Sequence, residues 1–148
     1  MKLSHIPLRV ATGAFILNSG LSKKGLEGQD AEGVHGMAAG AIPVVKKIPA
    51  NSFAQLLSGT EMALGGALLA PFVSSRIAGA ALTGFSAGLV QLYLKTPGMR
   101  QPGSLKPTPD GIALAKDVWL LGAGLTLLLD GRPKRKGAGS QPPVSENG

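Results

Sequence analysis

Four stretches of this chain are each close to twenty residues long and almost free of charge: Leu3–Leu21, Ser52–Phe72, Ile77–Leu94 and Ile112–Leu129, with 19, 21, 18 and 18 residues. A run of about 20 apolar residues matches a hydrocarbon core about 30 Å thick. A helix of a soluble bundle sets an apolar stripe against a polar face, whereas these stretches are apolar all round. The expectation is an all-α protein, a four-transmembrane-helix bundle, with the remaining residues holding nearly all the charge. Charged residues make up 16% of the chain, against roughly 25% in soluble domains.

The connections are legible too. Ser22-Lys23-Lys24-Gly25 reads as a helix stop. In the 30-residue connection Ser22–Asn51, the residues Val34, Met37, Ala38 and Ala41 recur at helical spacing, so a short amphipathic helix is expected there, capped by Asp30 and ended by Pro43. Asn51 or Ser52 is placed to cap the second span, and Pro71 to close it. The four residues Val73-Ser74-Ser75-Arg76 leave room only for a tight turn, so spans two and three should form an antiparallel hairpin. Thr96–Gly111 is a Pro- and Gly-rich loop. Its end, Thr108-Pro109-Asp110, has the order of a cap, a first-turn proline and a first-turn acid. Residues 1–131 are read as the membrane domain, and residues 132–148 as a basic tail, rich in Gly, Ser and Pro and disordered.

The net charge is +7 and the isoelectric point about 10.1. The basic residues stand at span ends and in the tail, not on a face interleaved with aromatics, so no nucleic acid is expected. Arg132, Lys134, Arg135 and Lys136 follow the last span directly, where they suit topology or contact with anionic lipid headgroups. Four spans put both termini on one side. That side carries Lys2, Arg9, Arg76, Arg132, Lys134, Arg135 and Lys136, seven in all; the other carries Lys23, Lys24, Lys46, Lys47, Lys95, Arg100, Lys106 and Lys116, eight in all. The counts balance. The dense tail favours both termini in the cytoplasm, with the protein in the inner (plasma) membrane. There is no Cys, so no thiolate metal site. His5 and His35 fall on opposite sides of the first span, which argues against a bis-His haem. No cofactor and no metal are expected.

The first span reads Leu8-Arg9-Val10, Gly13-Ala14-Phe15 and Gly20-Leu21-Ser22-Lys23. The second reads Gln55-Leu56-Leu57-Ser58-Gly59-Thr60-Glu61 and Gly65-Gly66-Ala67-Leu68-Leu69, and the last Lys116-Asp117 and Leu120-Leu121-Gly122-Ala123-Gly124-Leu125. Over roughly residues 6–131 this ordered set resembles the DoxX-like membrane proteins. The resemblance implies a four-helix integral membrane protein. It also implies a role beside others: some relatives are subunits of quinone-linked sulfur oxidation, and some anchor redox-stress enzymes.

An ionisable group inside a span costs about 2.5–3.5 kcal/mol on insertion scales, so each needs a reason. Glu61 falls near the middle of its span and Arg9 about 5–6 Å to the inner side, which suggests an intramembrane Arg9–Glu61 pair. Asn18, Gln55, Gln91, Lys116 and Asp117 fall roughly 5–10 Å to the outer side and suggest a second polar cluster. Their alternatives are helix-to-helix glue or a proton or quinone-headgroup site on Glu61 and Lys116. Ala80, Gly84 and Gly88 form a small-residue row on the third span, read as a helix-packing face. The reading leans away from an enzyme. It points to a small accessory or anchoring subunit in the bilayer, part of a larger redox or transport complex, with a quinone-handling redox subunit as the alternative.

Overall fold

A computed structural model describes residues 2–130. Among these residues the chain is all-α, and the only extended pairing is an isolated bridge between Arg100 and Pro107 in the long loop. The predicted tail and its basic residues Arg132, Lys134, Arg135 and Lys136 lie outside the described residues.

Helix α1, Ile6–Lys23, follows a 3-10 turn at Leu3–His5 and has Pro7 in its first turn, where a missing N–H costs nothing. The predicted loop helix is present as α2, Gly28–Ala41, but Asp30 does not cap it: the cap position is Glu27, which makes no side-chain cap hydrogen bond, and Asp30 lies inside the first turn. A 3-10 turn at Pro43–Lys47 leads to α3, Ala50–Leu69, which starts behind Pro49 with no side-chain cap and ends before Pro71; the expected cap at Asn51 or Ser52 is already inside the helix. Helix α4, Ser75–Lys95, is capped by the Ser74 hydroxyl, which accepts from the Ile77 N–H at 3.2 Å. The fourth stretch is not continuous. It forms α5, Ile112–Lys116, and α6, Val118–Asp130, with Asp117 at the break.

Two pairings dominate. Helix α1 runs along α3, and α4 along α6, while α3 and α4 touch little despite the short turn between them. Glycines account for both crossings. A Cβ on Gly65 would stand 2.6 Å from the Leu17 nitrogen, one on Gly79 2.5 Å from the Leu128 nitrogen, and one on Gly124 2.7 Å from the Thr83 nitrogen. These are contacts of backbone on backbone, which only the loss of a side chain permits. The expected packing face of Ala80, Gly84 and Gly88 is therefore a correction. Ala80 and Gly84 are exposed, and nothing lies within 4 Å of a Cβ built on Gly84 or Gly88. The face of α4 that is buried holds Ala78, Gly79, Leu82 and Ser86. Helix α4 is small-residue-rich on more than one side, and hydropathy does not say which side meets a neighbour.

The core joins the two pairs through Ile16, Leu64, Leu68, Ala78, Leu82, Leu120, Ala123 and Leu127. Outside it, large apolar side chains face outward, among them Val10, Leu56, Ile77, Leu125 and, at the α3–α4 turn, Phe72 at 89% exposure. Two helical segments, Ser75–Lys95 and Ile112–Asp130, are long and apolar enough to cross a membrane.

Candidate functional site

The functional geometry is set by how far α1 has slid along α3. Gly13 lies opposite Gly65, Leu68 and Leu69, and Gly20 opposite Ser58 and Met62. Arg9 is thereby level with the C-terminal end of α3, some eight residues, or about 12 Å, from Glu61. The two do not pair, which corrects the expectation from sequence. Arg9 is 1% exposed, and its guanidinium donates to backbone carbonyls around the α3–α4 turn. Its Nε reaches Leu68 O at 2.7 Å, Nη1 reaches Val73 O at 2.8 Å, and Nη2 reaches Ala67 O at 2.9 Å and Ala70 O at 2.8 Å. Nη1 also meets the Ser75 hydroxyl at 3.2 Å. A helix C-terminus leaves carbonyls without partners and carries partial negative charge. A planar cation with five donors answers both needs.

Glu61 takes its cation from the other end of α1. Lys23 Nζ stands 2.9 Å from Glu61 Oε2 and also donates to the Ser19 hydroxyl at 2.6 Å and the Ser19 carbonyl at 3.2 Å. From sequence, Lys23 reads as part of a helix stop, a flanking cation and a member of the first-span motif, not as the partner of Glu61. The close approaches of Gly13 and Gly20 to α3 fix the slide that brings the end of α1 beside the middle of α3, and those glycines are the signal that could have found it.

Beyond this pair α2 packs against α3 and α4. A cavity of about 700 Å³ results, lined by all the helices. Phe15, Phe53, Leu57, Phe85 and Leu89 give it an apolar wall, Gly84 and Gly88 give it depth, and Lys23, Glu61, Asp117, Gln29 and Asp30 bring polar groups to it. Asp117 shares its helix face with Leu114 and Leu120, which also line the cavity, and its carbonyl accepts from the Leu120 N–H at 3.0 Å in a single tight turn.

The predicted outer cluster does not assemble. Asn18 and Gln55 are exposed, and Gln55 makes one long contact, 3.4 Å, to the Leu26 carbonyl. Gln91 reaches the Ala41 carbonyl at 3.4 Å. Lys116 is exposed and lines no part of the cavity. Of the five, Asp117 alone lines the cavity, with Glu61 and Lys23. Depth along an axis was right for these residues only in part, because depth says nothing about which face of a helix a residue occupies.

At the opposite end the described chain closes on itself. Lys2 Nζ meets Asp130 Oδ1 at 2.6 Å, and His5 Nε2 meets Asp130 Oδ2 at 2.7 Å. Asp130 is the last residue of α6, so these contacts tie the start of the described chain to its end.

Among the described residues, the fold and site thus define an all-helical protein with two membrane-compatible helical segments and a large, partly open cavity. Comparisons with protein-family models, curated proteins and solved structures find no match.

Proposed function

We propose that this chain is a DoxX-like, four-span protein of the inner membrane, with both termini cytoplasmic, and that it serves a larger complex by holding an amphiphilic molecule in the cavity between its helix pairs. It does so as an accessory subunit, without chemistry of its own. Helices α1 and α3 fall short of a span by composition because polar residues lower their mean hydropathy, Arg9, Asn18 and Lys23 on α1 and Asn51, Gln55 and Glu61 on α3. Geometry supports their place in the bilayer all the same: Arg9 is 1% exposed and Glu61 4%, so both charges are turned inward. Exposed positions outside the cavity, among them Ala11 and Ala14 on α1 and Ala63 and Leu69 on α3, offer lipid an uncharged surface.

The observation that carries the function is the cavity itself. Its 700 Å³ falls within the 300–1,000 Å³ typical of small-molecule sites, and an apolar wall with a few converging polar groups is their usual form. The row of Gly84 and Gly88, read from sequence as a packing face, borders this space instead. A quinone-type headgroup remains a second reading, with Lys23 in place of the predicted Lys116 beside Glu61, because the Lys23–Glu61 pair is the polar feature such a headgroup would meet.

Filling the space should abolish binding without harming the fold. Gly84→Leu with Gly88→Leu places two side chains where no atom lies within 4 Å. In nonionic detergent the doubly substituted protein should unfold within a few degrees of the parent, yet bind a neutral solvatochromic dye at least about tenfold more weakly. Equal binding by the two proteins would place the ligand elsewhere.

A further inference from the structure

We infer that the cavity selects amphiphiles with a cationic head, a conclusion that rests on the cavity being the binding site. Four ionisable side chains line it: Lys23, Asp30, Glu61 and Asp117. That is one ammonium against three carboxylates. The ammonium is spoken for, since Lys23 is bound to Glu61 and to both oxygens of Ser19. Among the described lining residues, an anionic head would find no free cation and would meet two further carboxylates.

Those two are differently placed. Asp30 is exposed in the first turn of α2, where the helix N-terminus favours its charge. It stands at the rim. Asp117 is half-buried at the break between α5 and α6, and among the described residues it has no ion-pair partner. A ligand cation beside Asp117 would supply the missing partner in surroundings of low dielectric, where a charge pair counts for more than in water. Phe15, Phe53 and Phe85 line the same space, and aromatic faces attract cations that cannot hydrogen-bond. The occupant is therefore a bulky, weakly hydrated cation with apolar substituents, of the quaternary ammonium or phosphonium class. A lipid anion or a carboxylate-headed chain does not fit this lining.

Equilibrium dialysis of the full chain in nonionic detergent tests it with three probes of similar size: tetraphenylphosphonium, tetraphenylborate and neutral triphenylphosphine oxide. The phosphonium should bind at least about tenfold more tightly than the borate, with the oxide between them. Asp117→Asn should cost the phosphonium about tenfold and leave the oxide unchanged. Glu61→Gln, which frees Lys23, should raise borate binding. Equal binding of phosphonium and borate, or an unchanged ratio in Asp117→Asn, overturns the cation preference while leaving the cavity in place as long as Gly84→Leu with Gly88→Leu abolishes oxide binding. If that double substitution affects none of the three probes, the cavity reading fails and the preference with it.

Discussion

Arg9→Met should destabilise the protein more than any other single change, by about 3–5 kcal/mol. Four carbonyls and one hydroxyl receive hydrogen bonds from this guanidinium. The carbonyls belong to Ala67, Leu68, Ala70 and Val73, which are the last turn of α3 and the turn into α4, so a single side chain fixes both the end of one helix and the approach of the next. A thioether of similar length restores none of this, and buried acceptors left without donors carry their full desolvation cost. Arg9→Lys keeps the charge but offers one nitrogen in place of the planar fork, and should recover less than half of the loss. Denaturant titration in detergent is the measurement. It also separates two pairings. Arg9→Met and Glu61→Gln should be additive, since the residues share no partner, whereas Lys23→Met and Glu61→Gln should be coupled. A loss below about 1 kcal/mol for Arg9→Met would contradict the capping role.

The second large effect concerns the crossings. Gly79→Val and Gly65→Val should each cost about 3 kcal/mol, and Gly84→Val close to nothing. At Gly79 the added carbon would meet the Leu128 nitrogen at 2.5 Å, and at Gly65 the Leu17 nitrogen at 2.6 Å. Both obstacles are backbone, so no rotamer change relieves them, and the helices must separate along their length. All three substitutions put the same β-branched residue inside a helix, so the contrast with Gly84→Val removes helix propensity from the comparison. Thermal unfolding of the three variants decides it. A Gly84→Val loss as large as that of Gly79→Val would mean that α4 packs through the other face.

Helix positions were largely legible in the sequence, because prolines and glycines punctuate it. Pro43, Pro71 and the Pro- and Gly-rich loop stop helices where expected, and Asp30 and the Val34–Ala41 spacing indicated α2. Partner choice was not legible. Chain order and the short turn at Val73–Arg76 suggested α3 against α4, yet the deepest contacts are glycine to backbone between α1 and α3 and between α4 and α6. That outcome depends on which of several small-residue rows faces inward. The Arg9–Glu61 expectation failed for a related reason. Aligning spans by their centres ignores axial sliding, and a slide of a few residues exchanged Arg9 for Lys23 as the partner of Glu61. The tight turn at Asp117 carries no Pro or Gly, so nothing local announced it, and the cavity is lined by residues of every α-helix, which no single stretch of sequence could announce.

The placement of α1 and α3 in the bilayer is the claim on which the cavity reading rests, and the chain has no cysteine of its own, so single introduced thiols report cleanly. Ala14 on α1 and Ala63 on α3 face outward, away from the bundle interior. In native membranes, Ala14→Cys and Ala63→Cys should resist a water-soluble maleimide as strongly as Ala87→Cys on α4, while Phe72→Cys at the turn and Gly103→Cys in the long loop should be modified rapidly. Modification of Ala14→Cys and Ala63→Cys at the rate of Gly103→Cys would put both helices in water, and the four-span arrangement would be wrong.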